Sequence, residues 1–148
     1  MEPKEAGKGY VRARIRLSWF DRKNGNSGLS QINAYNFFDQ AIKIAKENDI
    51  DVTPYLSLYL GHATVRNKPV LMSCIADNKL YIEGALLDRL IYFSALPDSL
   101  FSHPAALAMY HGGENARIAL KMILNCMTDS DSGRKKELVS LIDLVGGF

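Results

Sequence analysis

The sequence predicts an α+β fold, with a small, mostly antiparallel sheet of about four strands, a long helix after the first strand and a helical C-terminal half. Three observations predict it. Val11 to Phe20, V-R-A-R-I-R-L-S-W-F, alternates apolar and polar residues with the period of two that a half-buried strand requires. Gln31 to Asn48 repeats its apolar residues at spacings of three and four. From Ala85 onward, apolar runs of helix length are separated by Pro, Gly and short polar stretches.

In the first strand, taken as residues 10–20, Val11, Ala13, Ile15, Leu17 and Trp19 face the core. Arg12, Arg14, Arg16 and Ser18 face the other way, which sets the guanidinium groups roughly 7 Å apart. Asp21 to Ser30 collects Asn24, Gly25, Asn26, Ser27 and Gly28 and reads as a loop, basic at Arg22 and Lys23. Ser30 is the expected N-cap of the long helix, whose stripe is Ile32, Tyr35, Phe38, Ala41, Ile42 and Ala45, widened by Phe37 and Ile44. Thr53-Pro54 fits either a helix start or the first residues of a strand, and Y-L-S-L-Y-L tips the reading toward a strand over 55–61. The apolar runs at 70–76 and 79–83, separated by Asp77 and Asn78, read as a hairpin.

In the second half, Ala85 to Leu96 is apolar almost all round and reads as a buried helix that stops before Pro97. Ser102 and Pro104 open a helix through Tyr110, ended by Gly112-Gly113. Asn115 to Met127 places Ile118 and Met122 with Ala119, Ile123 and Cys126 on its expected inner face. T-D-S-D-S-G-R-K-K reads as a polar linker before a last helix, Glu137 to Val145, striped by Leu138, Leu141, Ile142 and Val145.

At 148 residues the chain fits a single domain over 1–148, and a domain of this size buries about 68–70% of its unfolded surface. Within it, 1–9 reads as a flexible N-terminal tail, 10–83 as the sheet-bearing half and 84–148 as the helical half. The hydrophobic content of 47% and charged content of 23% exclude a largely disordered chain. The start, M-E-P-K-E-A-G-K-G, has no apolar signal core, and no run reaches the roughly 18 uninterrupted apolar residues of a membrane span, so a soluble cytoplasmic protein with no membrane partner is expected. Cys74 and Cys126 both sit among apolar neighbours, the setting of small buried thiols in a reducing compartment, although a single bridge between them stays open.

Charge is unevenly spread. Residues 1–23 carry seven basic and three acidic side chains, a net +4, while the other 125 carry a net −2. Such asymmetry favours a polyanion or an acidic protein surface as partner. Arg12, Arg14, Arg16, Arg22, Lys23 and Arg66 are the candidate contact residues, since guanidinium pairs bidentately with phosphate, and Tyr55, Tyr59 and Tyr81 would add stacking faces. Solvent-facing strands also carry arginines simply for solubility.

No catalytic, cofactor or metal site is expected. His62, His103 and His111 show no ligand spacing, and each reads as a cap or loop residue at an element boundary. The thiol–imidazole pairs His103 with Cys126 and His62 with Cys74 have no local signature. His111-Gly112-Gly113-Glu114 is similar to the oxyanion loop of some esterases, but without a G-x-S-x-G elbow it reads as one helix end followed by another start. Asn24 to Gly28 matches no phosphate-binding fingerprint. Pro54 to His62, P-Y-L-S-L-Y-L-G-H, resembles the stretch of tyrosine recombinases in which Leu-Gly-His follows a helix and supplies a catalytic histidine. That resemblance spans nine residues of 148, the preceding His-x-x-Arg box is absent and no Tyr follows at the needed place, so no role is carried over.

The expected function is non-enzymatic binding to nucleic-acid backbone through the arginine-lined strand and basic loop. The alternative is a small protein-binding module, such as a microbial inhibitor, immunity or anti-defence protein, docked on an acidic surface of a nuclease or nucleoprotein complex. An enzyme is the less favoured class, because no paired catalytic motif is present. The stripe Leu138, Leu141, Ile142, Val145 also offers a face for a homodimer.

Overall fold

The computed structural model of the chain describes residues 31–62, 66–127 and 132–148. Among the described residues there are seven helices and no strand. They are α1 (Gln31–Glu47), α2 (Thr53–His62), α3 (Asn67–Asp77), α4 (Gly84–Ser94), α5 (Ser99–Tyr110), α6 (Glu114–Asn125) and α7 (Ser132–Leu144). The expected α+β fold is thus corrected to an all-helical one over these residues: the strands at 55–61 and 70–76 are helices, and 79–83 pairs with no strand. The expected tail at 1–9, the strand at 10–20 and the loop after it lie outside the described residues. The chain divides into two compact units, Met1–Cys74 and Ile75–Phe148, with the boundary inside α3.

In the first unit α1 buries Ala34, Phe38, Ala41, Ile42 and Ala45, the stripe that its spacing predicts. It ends in a Schellman motif: Asp49 takes a φ of 53°, Asp49 N–H donates to the Lys46 carbonyl, and Ile50 N–H donates to that of Ala45. Asp51 then starts α2, its Oδ1 accepting from Thr53 N at 3.0 Å and Thr53 Oγ1 at 2.7 Å. Pro54 sits in the first turn, where its missing N–H costs nothing.

Leu58 shows why the strand reading fails. A strand would bury Leu56, Leu58 and Leu60 together, yet Leu58 is 60% exposed while Leu56, Ser57, Tyr59 and Leu60 are buried. That is the three-and-four spacing of a helix. The Tyr59 ring meets Phe38 of α1 edge-on, with centroids 4.7 Å apart. In α3, Leu71, Met72, Ile75 and Ala76 repeat the helical spacing, and Cys74 Sγ donates to the Tyr35 carbonyl of α1 at 3.3 Å.

In the second unit the expected hairpin turn is the end of α3. Lys79 takes a φ of 48°, its N–H donates to the Ala76 carbonyl and Leu80 N–H to that of Ile75, a second Schellman motif. Asp and Asn suit both a hairpin turn and a helix end, so the sequence there is ambiguous. α4 buries Leu86, Leu90, Phe93 and Ser94 but leaves Tyr92 63% exposed, so it is amphipathic rather than buried all round. Asp98 caps α5 by accepting from Leu100 N at 2.9 Å, which starts the helix three residues before the expected Ser102. His103 therefore lies within α5 and not at its boundary.

α5 is the hub of this unit. It packs against α4, α6 and α7, and α4 also touches α6. The expected inner face of α6 is corrected: Ala116, Leu120 and Leu124 are buried, while Ile118 is 48% and Met122 62% exposed. Cys126 is exposed too, against the buried setting expected of it, whereas Cys74 is buried; both are free thiols. α7 begins at Ser132, inside the expected linker, and buries Leu138 and Ile142 of the stripe read as a dimer face. Arg134 Nη1 donates to the Ala95 carbonyl at 3.1 Å, tying α7 to the end of α4.

Two measurements check this arrangement. Chemical denaturation of Leu120→Ala shows a loss of about 2–5 kcal/mol, while Ile118→Ala stays within about 0.5 kcal/mol of the parent; the reverse order would restore the expected face. Iodoacetamide applied to the folded protein alkylates Cys126 and spares Cys74 until denaturant is added.

Candidate functional site

Of the six residues expected to make contacts, Arg12, Arg14, Arg16, Arg22 and Lys23 lie outside the described residues. Arg66 is exposed in the turn that leads into α3. Among the aromatics expected beside them, Tyr59 is buried against Phe38 and presents no stacking face, Tyr55 is half-buried and Tyr81 is exposed.

The side chains that the second unit gathers are different ones. α5 ends at Tyr110, His111 and Gly112 turn the chain, and Gly113 takes a φ of 105° before Glu114 opens α6. The loop must carry glycine at both places. A Cβ on Gly112 would stand 2.8 Å from Ile82 Cδ1 and 2.9 Å from the Ala108 carbonyl oxygen, and one on Gly113 would stand 2.7 Å from the Tyr81 ring. The stretch at 81–83 lies this close because Ile82 N–H donates to the Gly112 carbonyl at 2.8 Å and its side chain is fully buried. That one backbone bond is what the expected strand at 79–83 amounts to.

Outside this loop an open cleft of about 560 Å³ is lined by Tyr110, His111, Gly113, Glu114 and Arg117. Tyr110 anchors it. Its hydroxyl donates to the Gly147 carbonyl at 2.6 Å, and its ring lies 6.0 Å from that of Phe148 and 5.1 Å from that of His111. The Arg117 guanidinium stacks over the Tyr110 ring at 4.1 Å, and Lys121 Nζ stands 5.0 Å from the Phe148 centroid. Among the described residues, no carboxylate lies within ion-pair distance of Arg117, Lys121 or Lys79, in contrast to Lys43, which is 2.8 Å from Asp39.

His111 registers this field. Partial burial lowers its pKa most, the cations Lys79 and Arg117 lower it further, and Asp77 offsets part of their effect. The imidazole is therefore neutral at neutral pH and acquires charge reluctantly. The His111-Gly112-Gly113-Glu114 stretch is a helix end and a new start, as its residues predict, but the cleft beside it was not foreseen. Its signal was Tyr-His before a glycine pair with Arg one turn into the next helix.

The other histidines do not join it. His103 Nε2 is 3.6 Å from Glu137 Oε2 on α7, beyond hydrogen-bond reach, and His62 ends α2 with its side chain outside the description. Among the described residues, no group of three His, Cys, Asp or Glu side chains converges on a metal position, and no helix is long and apolar enough to cross a membrane.

The lowered pKa of His111 has a consequence for stability. The unfolded chain takes up this proton at the ordinary value near 6.5, before the folded one does, so stability declines as pH falls through 6.5 and levels off below the folded pKa. Denaturation midpoints between pH 8 and pH 5 therefore fall less in His111→Gln than in the parent; equal slopes would show that His111 feels no such field. Compared with protein-family models, curated proteins and solved structures, the chain returns no match.

Proposed function

We propose that the protein is a non-enzymatic binding protein that contacts nucleic-acid backbone through Arg12, Arg14, Arg16, Arg22, Lys23 and Arg66. The observation that carries this reading is the concentration of net charge, +4 within the first 23 residues of a chain whose remainder is net negative. Exposure of Arg66 supports it. Phosphate contacts supply affinity and register without sequence preference, so the expected binding is unspecific and driven by counterion release.

A second reading has its own support. Ile118 and Met122 form an outward apolar pair on α6, one turn apart and beside Arg117 and Lys121. An apolar centre with a basic rim suits an acidic protein surface better than a phosphate backbone, which favours the inhibitor, immunity or anti-defence class as the alternative.

Titration with a duplex oligonucleotide at several salt concentrations separates the two. Six phosphate contacts predict a slope of log K against log salt of about −5, and a loss of roughly 10³ in affinity between 50 and 200 mM. Converting Arg12, Arg14 and Arg16 to Gln reduces the slope by about 3. Binding that is weak at low salt and indifferent to those three arginines would overturn the nucleic-acid reading and leave the protein-directed one.

A further inference from the structure

We propose that the cleft formed by Tyr110, His111 and Arg117 in the second unit is a seat for a small phosphate oxyanion, with Arg117 as its main contact and His111 as the neighbouring donor. It goes beyond the nucleic-acid reading, because it uses none of the arginines on which that reading rests.

Arg117 is the centre of the seat. Its guanidinium stacks on Tyr110 at 4.1 Å, and Tyr110 is itself held by the 2.6 Å bond to the Gly147 carbonyl and by its burial. A guanidinium held over a ring loses less freedom on pairing with an oxyanion than a mobile side chain does, and Arg117 is exposed to receive one. Arg134, by contrast, is spent on the Ala95 carbonyl at 3.1 Å. Arg117 faces an open cleft of about 560 Å³ with no carboxylate in ion-pair range among the described residues.

The second contact follows from the charges around His111. Lys79 and Arg117 outweigh Asp77 at the imidazole, so an anion placed there relieves repulsion and in turn favours the protonated ring, which gains a donor. Glu114 opposes this from the cleft wall. The seat is therefore on the Arg117 and His111 side, and the carboxylate of Glu114 limits its affinity.

The test reads the His111 ring protons by NMR against pH, in inorganic phosphate and in chloride of matched ionic strength. The expected result is a higher His111 pKa in phosphate than in chloride, saturating with phosphate, and tighter phosphate binding as pH falls. Arg117→Gln raises the pKa without phosphate, by removing a cation, and weakens phosphate at least tenfold. Glu114→Gln, an exposed change that leaves the stack in place, tightens phosphate. Equal pKa values in the two salts would show screening alone and overturn the site, as would a phosphate effect that survives Arg117→Gln or weakens in Glu114→Gln. Converting Arg12, Arg14 and Arg16 to Gln leaves the phosphate effect unchanged, so this site and the nucleic-acid reading fail separately.

Discussion

The second unit depends on the burial of α5. Its buried residues, Ser102, Ala105, Ala106, Ala108, Met109 and Tyr110, spread over more than half the helix circumference, too wide an arc for one partner to cover. Three helices, α4, α6 and α7, therefore surround it. Three of the six are alanines, which let the neighbouring backbones come close and leave Leu86, Leu90, Leu120 and Leu138 to fill the space between. Full burial of each such leucine contributes about 1.5–3 kcal/mol, so the packing around α5 outweighs the helix propensities of the surrounding segments.

The cleft inherits its geometry from that packing. Where α5 ends, its chain must reverse into α6 against the buried Ile82, and two glycines admit the approach. Tyr110 is the last residue of α5, so the helix that forms the core also sets the ring on which Arg117 stacks. Gly146 then takes a φ of 131° at the end of α7, in a third Schellman motif closed by Gly147 N–H to the Ile142 carbonyl, and this brings the Gly147 carbonyl to the Tyr110 hydroxyl. Core, loop and C-terminus are thus one construction, and the charged side chains are displayed on it.

Helices with one apolar face were legible in the sequence. α1 could be read to within a residue because Phe38, Ala41, Ile42 and Ala45 stand opposite Asp39, Lys43 and Lys46. Y-L-S-L-Y-L misleads because a six-residue alternation satisfies both periods, and the decision turned on Leu58, whose exposure no local pattern announces. On α6 two apolar stripes lie on opposite sides, and the one containing Ile118 and Met122 looks as core-like as the one containing Leu120 and Leu124. The cleft was less legible still, since Tyr81, Lys79 and Phe148 approach Tyr110, His111 and Gly113 only through folding.

By itself the sequence determined the helical second half, the helix over 31–47 and the uneven charge that concentrates cations in the first 23 residues. These are local properties, set by spacing within a single segment and by composition. Only the tertiary structure decided that 55–60 and 70–76 are helices, that α6 turns Leu120 inward and Ile118 outward, and that Arg117 lies over the Tyr110 ring. The reason is that an apolar residue carries no label for its partner: which side of a segment is buried depends on surface supplied by distant parts of the chain, and α5 supplies it here.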